Sequence, residues 1–392
     1  MPWAMAEPAI QPTFTVDGNA LTMIDTGPRR LDALIGLIDG ARDSLRVLFY
    51  IYVDDDAGHR VRDALVAAAK RGVRVSLMID GLGSEAAARR DFFDPLSDAG
   101  ADVCQFFPRL GRRYLLRNHQ KLAIADGARA IIGGFNVQDS YFGTPAEQAW
   151  RDLGLLVEGP AVERLAGYHD ALSRWMHTPR ASMRALRRLL GQWSEPRGRP
   201  MRWLLGGPTR RLSPWARTVR KDMRRARLID IVAGYFAPSP TILRRTKKVG
   251  RRGRVRIVLP SKNDHGAAIW ASRFTYAGLL RKGVELYEYQ PTKLHTKLYV
   301  IDDTVHIGSA NFDMRSLFIN LELMLRIEDA AFAAHVRAYV DGEIADSMRV
   351  TPEWYAEHTT AWMRVKQFAA YFVMAVLDPS VTRGLNFGPD RR

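Results

Sequence analysis

Two stretches of the chain repeat one arrangement of reactive side chains. His119-Gln-Lys121-Leu-Ala-Ile-Ala-Asp126 and His295-Thr-Lys297-Leu-Tyr-Val-Ile-Asp302 both read His-x-Lys-x4-Asp. Each is followed by a small-residue turn ending in an amide, Gly133-Gly134-Phe135-Asn136 and Gly308-Ser309-Ala310-Asn311. One such octet arises readily by chance, but two with matching turns point to two half-sites of one active site. Imidazoles, ammonium groups and amides together suit a phosphodiester, with no metal needed. One histidine attacks phosphorus to give a covalent intermediate, while lysines and asparagines hold the non-bridging oxygens. The other protonates the leaving alkoxide and then deprotonates the incoming acceptor. The candidate catalytic set is His119, Lys121, Asp126, His295, Lys297 and Asp302, with Asn136, Asn311 and Ser309 as phosphate contacts.

Spacing dictates the elements that carry these groups. Alternate side chains of an extended strand share a face, so His119 projects with Lys121 and His295 with Lys297. Leu122 and Ile124, like Leu298 and Val300, then face a core on the opposite side. Asp126 follows its histidine at an odd offset and reads as mainly architectural, in a two-residue hairpin turn Asp126-Gly127. The strand Arg129 to Ile132 returns Asn136 towards the histidine and lysine. A histidine in this role needs a partner on its other ring nitrogen, and the candidates are Asp152, in Trp150-Arg151-Asp152, and Glu322, in Asn320-Leu321-Glu322. The remaining histidines read as surface or satisfied core residues.

These motifs resemble those of the phospholipase D superfamily, and more narrowly the chain resembles the bacterial cardiolipin synthases. Tyr50-Ile-Tyr-Val-Asp54, Lys70-Arg-Gly-Val-Arg-Val75 and Ile79-Asp-Gly81 look like that family's first-half strands and connecting helix. Gly234-Tyr-Phe-Ala-Pro238, Val258-Leu-Pro-Ser261 and Lys282-Gly-Val284 resemble the second half, so the likeness spans roughly residues 30 to 345. It implies a two-repeat α/β fold, one active site at the pseudo-twofold interface and a phosphatidyl-histidine intermediate. First-half histidines usually attack in two-repeat members, which implies His119 as nucleophile and His295 as acid and base. Two departures stand out. Gly134 replaces the serine found at Ser309, removing a hydroxyl from the phosphate side, and six residues separate Asp126 from Gly133 where five separate Asp302 from Gly308.

Composition agrees with an enzyme of ordinary globular type. The 392 residues are 47% hydrophobic and 26% charged, enough for large cores and against extensive disorder. The single cysteine, Cys104, forms no intramolecular disulfide and reads as a buried strand residue in a reducing compartment. No Cys/His spacing suggests zinc, and no cofactor is expected. Met1 to Gln11 lacks a basic-then-apolar segment, so no secretory signal is expected, and no stretch approaches the roughly 20 apolar residues that span a bilayer. Some members of the resembled family begin with two membrane spans. Phe368 to Leu377 is a ten-residue apolar run after Trp362, Arg364 and Lys366, suited to a core helix or to an interfacial one. The net charge of +16 concentrates between Arg180 and Arg227, where fifteen Lys or Arg face only Glu195 and Asp222 and three tryptophans interleave. Such a segment suits an anionic membrane surface, and a nucleic-acid backbone would attract it equally.

Each repeat reads as strand, helix, strand and motif hairpin: Leu45 to Val53, Arg60 to Lys70, Val73 to Ile79 and Leu122 onwards, then Leu228 to Phe236, Thr241 to Val249, Val255 to Leu259, an extra helix from about Ala267 to Leu280, and Leu294 onwards. The expected fold is α/β, two phospholipase D-type repeats with mixed sheets flanked by helices. The expected boundaries are an N-terminal segment 1–30, a first repeat 31–180, a basic linker 181–215, a second repeat 216–345 and a C-terminal segment 346–392, either core or membrane-interfacial. The resemblance implies a cardiolipin synthase-type phosphatidyltransferase, with phospholipid substrates, peripheral on the cytoplasmic side of a bacterial inner membrane. Nucleic acid is not an expected partner. The alternatives are a phospholipase D that transfers to water and a nuclease of the same superfamily that cleaves DNA.

Overall fold

The computed structural model describes residues 11–84, 87, 91–106, 116–179, 181–195, 198–209, 212–263 and 266–377. The first sheet holds β1 (Thr13–Val16), β2 (Asn19–Ile24), β3 (Ser44–Phe49), β4 (Arg74–Asp80), β5 (Asp102–Phe106), β6 (Leu122–Ala125), β7 (Arg129–Gly133) and β8 (Gly154–Glu158). The second holds β9 (Met201–Leu205), β10 (Leu228–Ala233), β11 (Arg254–Pro260), β12 (Glu285–Tyr289), β13 (Lys297–Ile301), β14 (Thr304–Gly308), β15 (Leu323–Glu328) and β16 (Ser347–Val350). Their orders are β1-β2-β8-β7-β6-β3-β4-β5 and β16-β12-β11-β10-β13-β14-β15-β9. In each, a parallel trio (β3, β4, β5 or β10, β11, β12) joins an antiparallel set that carries the motif hairpin (β6–β7 or β13–β14). Helices such as Asp56–Lys70 and Pro240–Gly250 bridge the parallel strands, as parallel pairing requires.

The motif strands are buried on both faces, so they lack the alternation of a half-exposed strand. Leu122 and Ile124 meet Leu298 and Val300 in one inner core shared by the two repeats, where a core was expected for them. The residues between them look outward: Ala123 and Ala125 pack under the helices of the first repeat, and Tyr299 and Ile301 under those of the second. The repeats are therefore welded along the strands that deliver the histidines.

The one-residue difference between the motifs has a simple origin. In the first hairpin Ala125 pairs with Arg129, so the turn is three residues, Asp126-Gly127-Ala128, and not the expected two. In the second Ile301 pairs with Thr304, leaving the two-residue turn Asp302-Asp303. The extra residue is absorbed in the turn, and the strands stay in register.

Three expected assignments are corrected, for residues 1–30, for residues 181–215 and for the end of the second repeat at residue 345. Strands β1 and β2 join the first sheet through β8, so residues assigned to an N-terminal segment belong to the first repeat. The basic linker is not a linker: its helix Met183–Trp193 buries Leu186 and Leu190 in the inner core, and β9 is the edge strand of the second sheet. Strand β16 extends that sheet beyond residue 345. The C-terminal helix Ala361–Phe372 contributes Tyr371 to the second repeat's core. Each correction has one cause, the pairing of a short strand or helix face with residues distant in sequence.

Candidate active site

Neither repeat completes a half-site alone. The segment before His119 runs beside the segment before Glu322, joined by a parallel bridge between Asn118 and Leu321, with the His119 N–H donating to the Leu321 carbonyl at 3.0 Å. The other half mirrors it: Arg151 bridges Leu294, and the His295 N–H donates to the Arg151 carbonyl at 2.7 Å. This pairing crosses the carboxylates. His119 Nδ1 bonds Glu322 Oε2 at 3.0 Å, and His295 Nδ1 bonds Asp152 Oδ2 at 2.7 Å. Each histidine of one repeat is thus oriented by an acid of the other, and with Nδ1–H donated, each Nε2 keeps a free lone pair.

The lysines lie beneath the histidines. Lys121 Nζ donates to the His119 carbonyl at 2.7 Å and sits 5.0 Å from the centre of the Tyr50 ring. Lys297 Nζ donates to the His295 carbonyl and lies 3.9 Å from Asp152. Both lysines are 1% exposed, against Asp152 and Glu322 with none, so two buried lysines face two buried carboxyl groups. Burial holds Lys121 well below the usual lysine range, with Glu322 opposing the shift. Burial likewise lowers His119, and burial followed by the Lys297 charge brings His295 down to about 3, so both imidazoles rest neutral. Burial would raise Asp152, but Lys297 and the bond from His295 bring it below the usual carboxylate value.

Asn136 and Asn311 line the same cavity of about 370 Å³ as the two histidines. Asn136 Oδ1 accepts from the Ile51 N–H at 3.1 Å and Asn136 Nδ2 donates to the Tyr141 hydroxyl, whereas Asn311 Oδ1 is buried without a partner. The expectation for Ser309 is corrected. Its hydroxyl donates to Glu322 Oε2 at 2.5 Å and accepts from the Leu323 N–H, so it anchors the carboxylate and is not turned to phosphate. Gly134, its counterpart, is glycine for a related reason: a Cβ there would stand 2.4 Å from Asp152 Oδ1. The missing hydroxyl therefore makes room for the carboxylate.

Asp126 and Asp302 lie outside the site, which corrects their place in the catalytic set. Both adopt left-handed backbone, with φ of 56° and 47°. Asp126 accepts from the N–H groups of Arg42, Asp43 and Ser44, and Asp302 from those of Arg227 and Leu228. Each fastens the motif hairpin to the first parallel strand of its repeat.

Other residues of the site carry no motif. Tyr50, Tyr141, Trp150 and Tyr235 form an aromatic wall, and Arg117 and Arg315 add cations. Trp150 and Tyr141 stand 5.3 Å from the His295 ring, and Tyr50 stands 4.9 Å from that of His119. Arg117 had one legible signal, its place two positions before His119 on an extended segment. Arg30, 1% exposed, reaches from a helix to the carbonyls of Tyr141, Trp150 and Asp152 and braces the loop that presents Asp152. Asp80 accepts from the Asn118 N–H at 2.9 Å and steadies the approach to His119. Among the described residues, no group of three or more His, Cys, Asp or Glu is placed to hold a metal ion.

The family model for the cardiolipin synthase, phospholipase D-like domain matches residues 34–165 and 221–343, the two repeats. The chain is 31% identical over 387 residues to the major cardiolipin synthase ClsA of Bacillus subtilis, covering 93% of this chain and 76% of that one. It is 30% identical over 349 residues to cardiolipin synthase A of Pseudomonas aeruginosa, covering 87% and 70%. Among solved structures, a phosphatidylserine synthase from Haemophilus influenzae superposes with a TM-score of 0.70 at 14% identity, covering 93% of this chain and 95% of that one. A polyphosphate kinase from Porphyromonas gingivalis gives 0.59 at 13% identity, covering 94% and 56%. These two share the fold. With both repeats matched and both half-sites built across their interface, the chain belongs to the bacterial cardiolipin synthase family of phospholipase D-like proteins.

Proposed function

We propose that this protein is a phosphatidyltransferase that moves a phosphatidyl group from one phospholipid onto the glycerol hydroxyl of phosphatidylglycerol. The observation that carries the reading is the crossed pair of carboxylate-held histidines, His119 with Glu322 and His295 with Asp152, on one cavity. As the anionic phosphodiester binds, His295 takes up a proton at Nε2; His119 Nε2 then attacks phosphorus, the bond to the leaving glycerol oxygen breaks, and His295 gives that oxygen the proton. His295 then takes the proton of the acceptor hydroxyl, whose oxygen displaces His119 as the N–P bond breaks. Lys121, Lys297, Asn136 and Asn311 stabilise the charge on the non-bridging oxygens. Acid quenching followed by peptide mapping of the phosphohistidine identifies the nucleophile.

Phospholipid substrates require an approach to a membrane, and the outer surface supports a peripheral one. Six large apolar side chains are exposed among the described residues, and all lie together: Phe274 on one helix and Trp362, Val365, Phe368, Phe372 and Val373 on the C-terminal one. Gln367, Tyr371 and Ala375 on the other side of that segment are buried, so the apolar run is core on one face and unpartnered on the other. Met374, from the same segment, lines the catalytic cavity. No carboxylate occurs between Glu357 and Asp378, while Arg364 and Lys366 are exposed. An apolar face rimmed by cations beside the cavity suits the anionic, cytoplasmic surface of a bacterial inner membrane. No helix among the described residues is long and apolar enough to cross it.

The test is lipid analysis by mass spectrometry after expression in cells lacking their own cardiolipin synthases, and with purified protein on phosphatidylglycerol vesicles. Cardiolipin and free glycerol are expected, and neither from His119→Ala. Phosphatidic acid as the main product would assign the hydrolase. DNA cleavage dependent on His119 and His295, without lipid product, would assign the nuclease.

A further inference from the structure

A basic cavity of about 640 Å³ opens at the end of the second sheet remote from the catalytic histidines. Arg326, on its wall, lies in β15 four residues beyond Glu322, which immediately precedes that strand, roughly 13 Å at the rise of a strand. Five cations line the cavity, Arg199, Arg202, Arg217, Lys221 and Arg326, against two carboxylates, Asp222 and Glu328. Both carboxylates are engaged already. Asp222 Oδ2 accepts from Arg326 Nε at 2.9 Å and from His306 Nε2 at 3.0 Å, and Glu328 Oε2 accepts from Arg326 Nη1 at 2.8 Å. The other four cations have no ion pair among the described residues.

Arg202 is the anomaly. It is 7% exposed, and its Nε is buried without a partner. Strand alternation explains its direction: Trp203 enters the inner core, so Arg202 turns the other way, against the helix Pro214–Asp222. It stands directly opposite Arg326 across the β9–β15 ladder, where like charges repel. Burial, and then the Arg326 charge, depress its basicity. A guanidinium carries five donors, and leaving one buried and unpaired beside another cation is strongly unfavourable unless an anion occupies the cavity.

We propose that this cavity binds a phosphate group, carried by a small polar ester or by a lipid headgroup, between Arg202, Arg217 and Lys221. Planar guanidinium forks match phosphate oxygens in a way that isolated charges do not. A bound phosphate would give Arg202 the counter-ion that Asp222 and Glu328, both held by Arg326, do not supply. The volume exceeds that of a phosphate ion and falls within the range of about 300–1,000 Å³ for small-molecule sites, leaving space for a glycerol-sized group. The site uses none of the motif residues and does not depend on the catalytic reading. It gives a defined target to the basic stretch between the motifs, whose charge otherwise implies only diffuse attraction to polyanions.

The test titrates the full-length protein with glycerol 3-phosphate by calorimetry and with phosphatidylglycerol vesicles by co-sedimentation, comparing wild type with Arg202→Gln and with Arg217→Gln/Lys221→Gln. Both variants should bind at least one probe tenfold more weakly, while turnover of a soluble short-chain phosphatidylglycerol stays within about twofold. Loss confined to glycerol 3-phosphate assigns a soluble ester, and loss confined to vesicles assigns a lipid headgroup. Arg202→Gln should also melt higher than wild type in phosphate-free buffer and lose the rise in Tm that phosphate gives. Arg217 and Lys221 are exposed, so their double variant folds and keeps the test decisive even if Arg202→Gln does not. Unchanged binding of both probes in that double variant overturns the site.

Discussion

Replacing Glu322 by Gln keeps the side chain's shape and removes one charge from a buried cluster. Glu322 is fully buried and takes hydrogen bonds from His119 Nδ1 at 3.0 Å, Ser309 Oγ at 2.5 Å and Ser316 Oγ at 2.7 Å. Two effects follow. Each hydroxyl bond changes from a charged acceptor to a neutral one, a difference of about 1 kcal/mol, so stability should fall by about 2 kcal/mol. The amide can also present an N–H to Nδ1, which forces the imidazole proton onto Nε2 and removes the lone pair that attacks phosphorus. The same exchange behind a catalytic histidine lowers turnover by about 10⁴ in the Ser-His-Asp enzymes. Here the amide can instead turn its oxygen to His119 and desert the serines, so turnover should drop by about 10² to 10⁴, about 3–5 kcal/mol on the barrier. The assay is the initial rate of cardiolipin formation on phosphatidylglycerol vesicles, with urea unfolding run beside it. KM should change little, because Glu322 acts through His119. A folded Glu322→Gln enzyme with more than about a tenth of wild-type turnover, an effect under about 1.4 kcal/mol, would refute the orienting role.

His119→Ala and His295→Ala should each reduce turnover by several orders of magnitude, and the double variant should add little, because attack and leaving-group protonation share one step; multiplicative losses would argue against a shared site. Acid should destabilise the fold. Below about 6.5 the unfolded chain protonates histidines that the fold keeps neutral, so stability rises with pH by up to about 1.4 kcal/mol per unit for each. His295, at about 3, carries this through the acid range, while Asp313, pushed up to about 6 by burial, works in the opposite direction below that value. Urea midpoints should fall from pH 7 to 5, and a flat profile would contradict the neutral buried pair. Changing Trp362, Phe368 and Phe372 to Ser should leave stability within about 0.5 kcal/mol and abolish the binding to phosphatidylglycerol vesicles that persists in high salt. Persistence of that binding would remove the interfacial face, whereas deleting the segment is a poorer test because Tyr371 and Ala375 belong to the core. Chelator-treated and dialysed enzyme should keep its activity, since imidazoles and ammonium groups supply the charge; loss restored by one specific metal would contradict this.

The sequence by itself determined the chemistry and its multiplicity. Histidine and lysine two positions apart can be recognised in an extended strand without knowing the fold, and a second copy implies a second half-site. It also determined the parallel strands, the helices between them and the candidate acids, because periodicity and local spacing are properties of neighbours along the chain. Only the tertiary structure decided which acid serves which histidine. Asp152 lies 143 residues from His295 and Glu322 lies 203 from His119, and no local pattern encodes a partner at such separations. The same holds for Ser309, whose hydroxyl had two places to go and was claimed by Glu322. The odd offset of Asp126 already pointed to an architectural role, and the structure added which N–H groups Asp126 and Asp302 hold. The edge strands β1, β9 and β16 have 4 or 5 residues each. Segments so short carry too little periodicity to be read alone, and their pairing with a preformed edge makes them strands. The fate of the apolar C-terminal run was equally undecided, since a helix with one buried face and one exposed apolar face has the same composition as a helix buried all round. Packing against the neighbouring helix settled which side chains face outward.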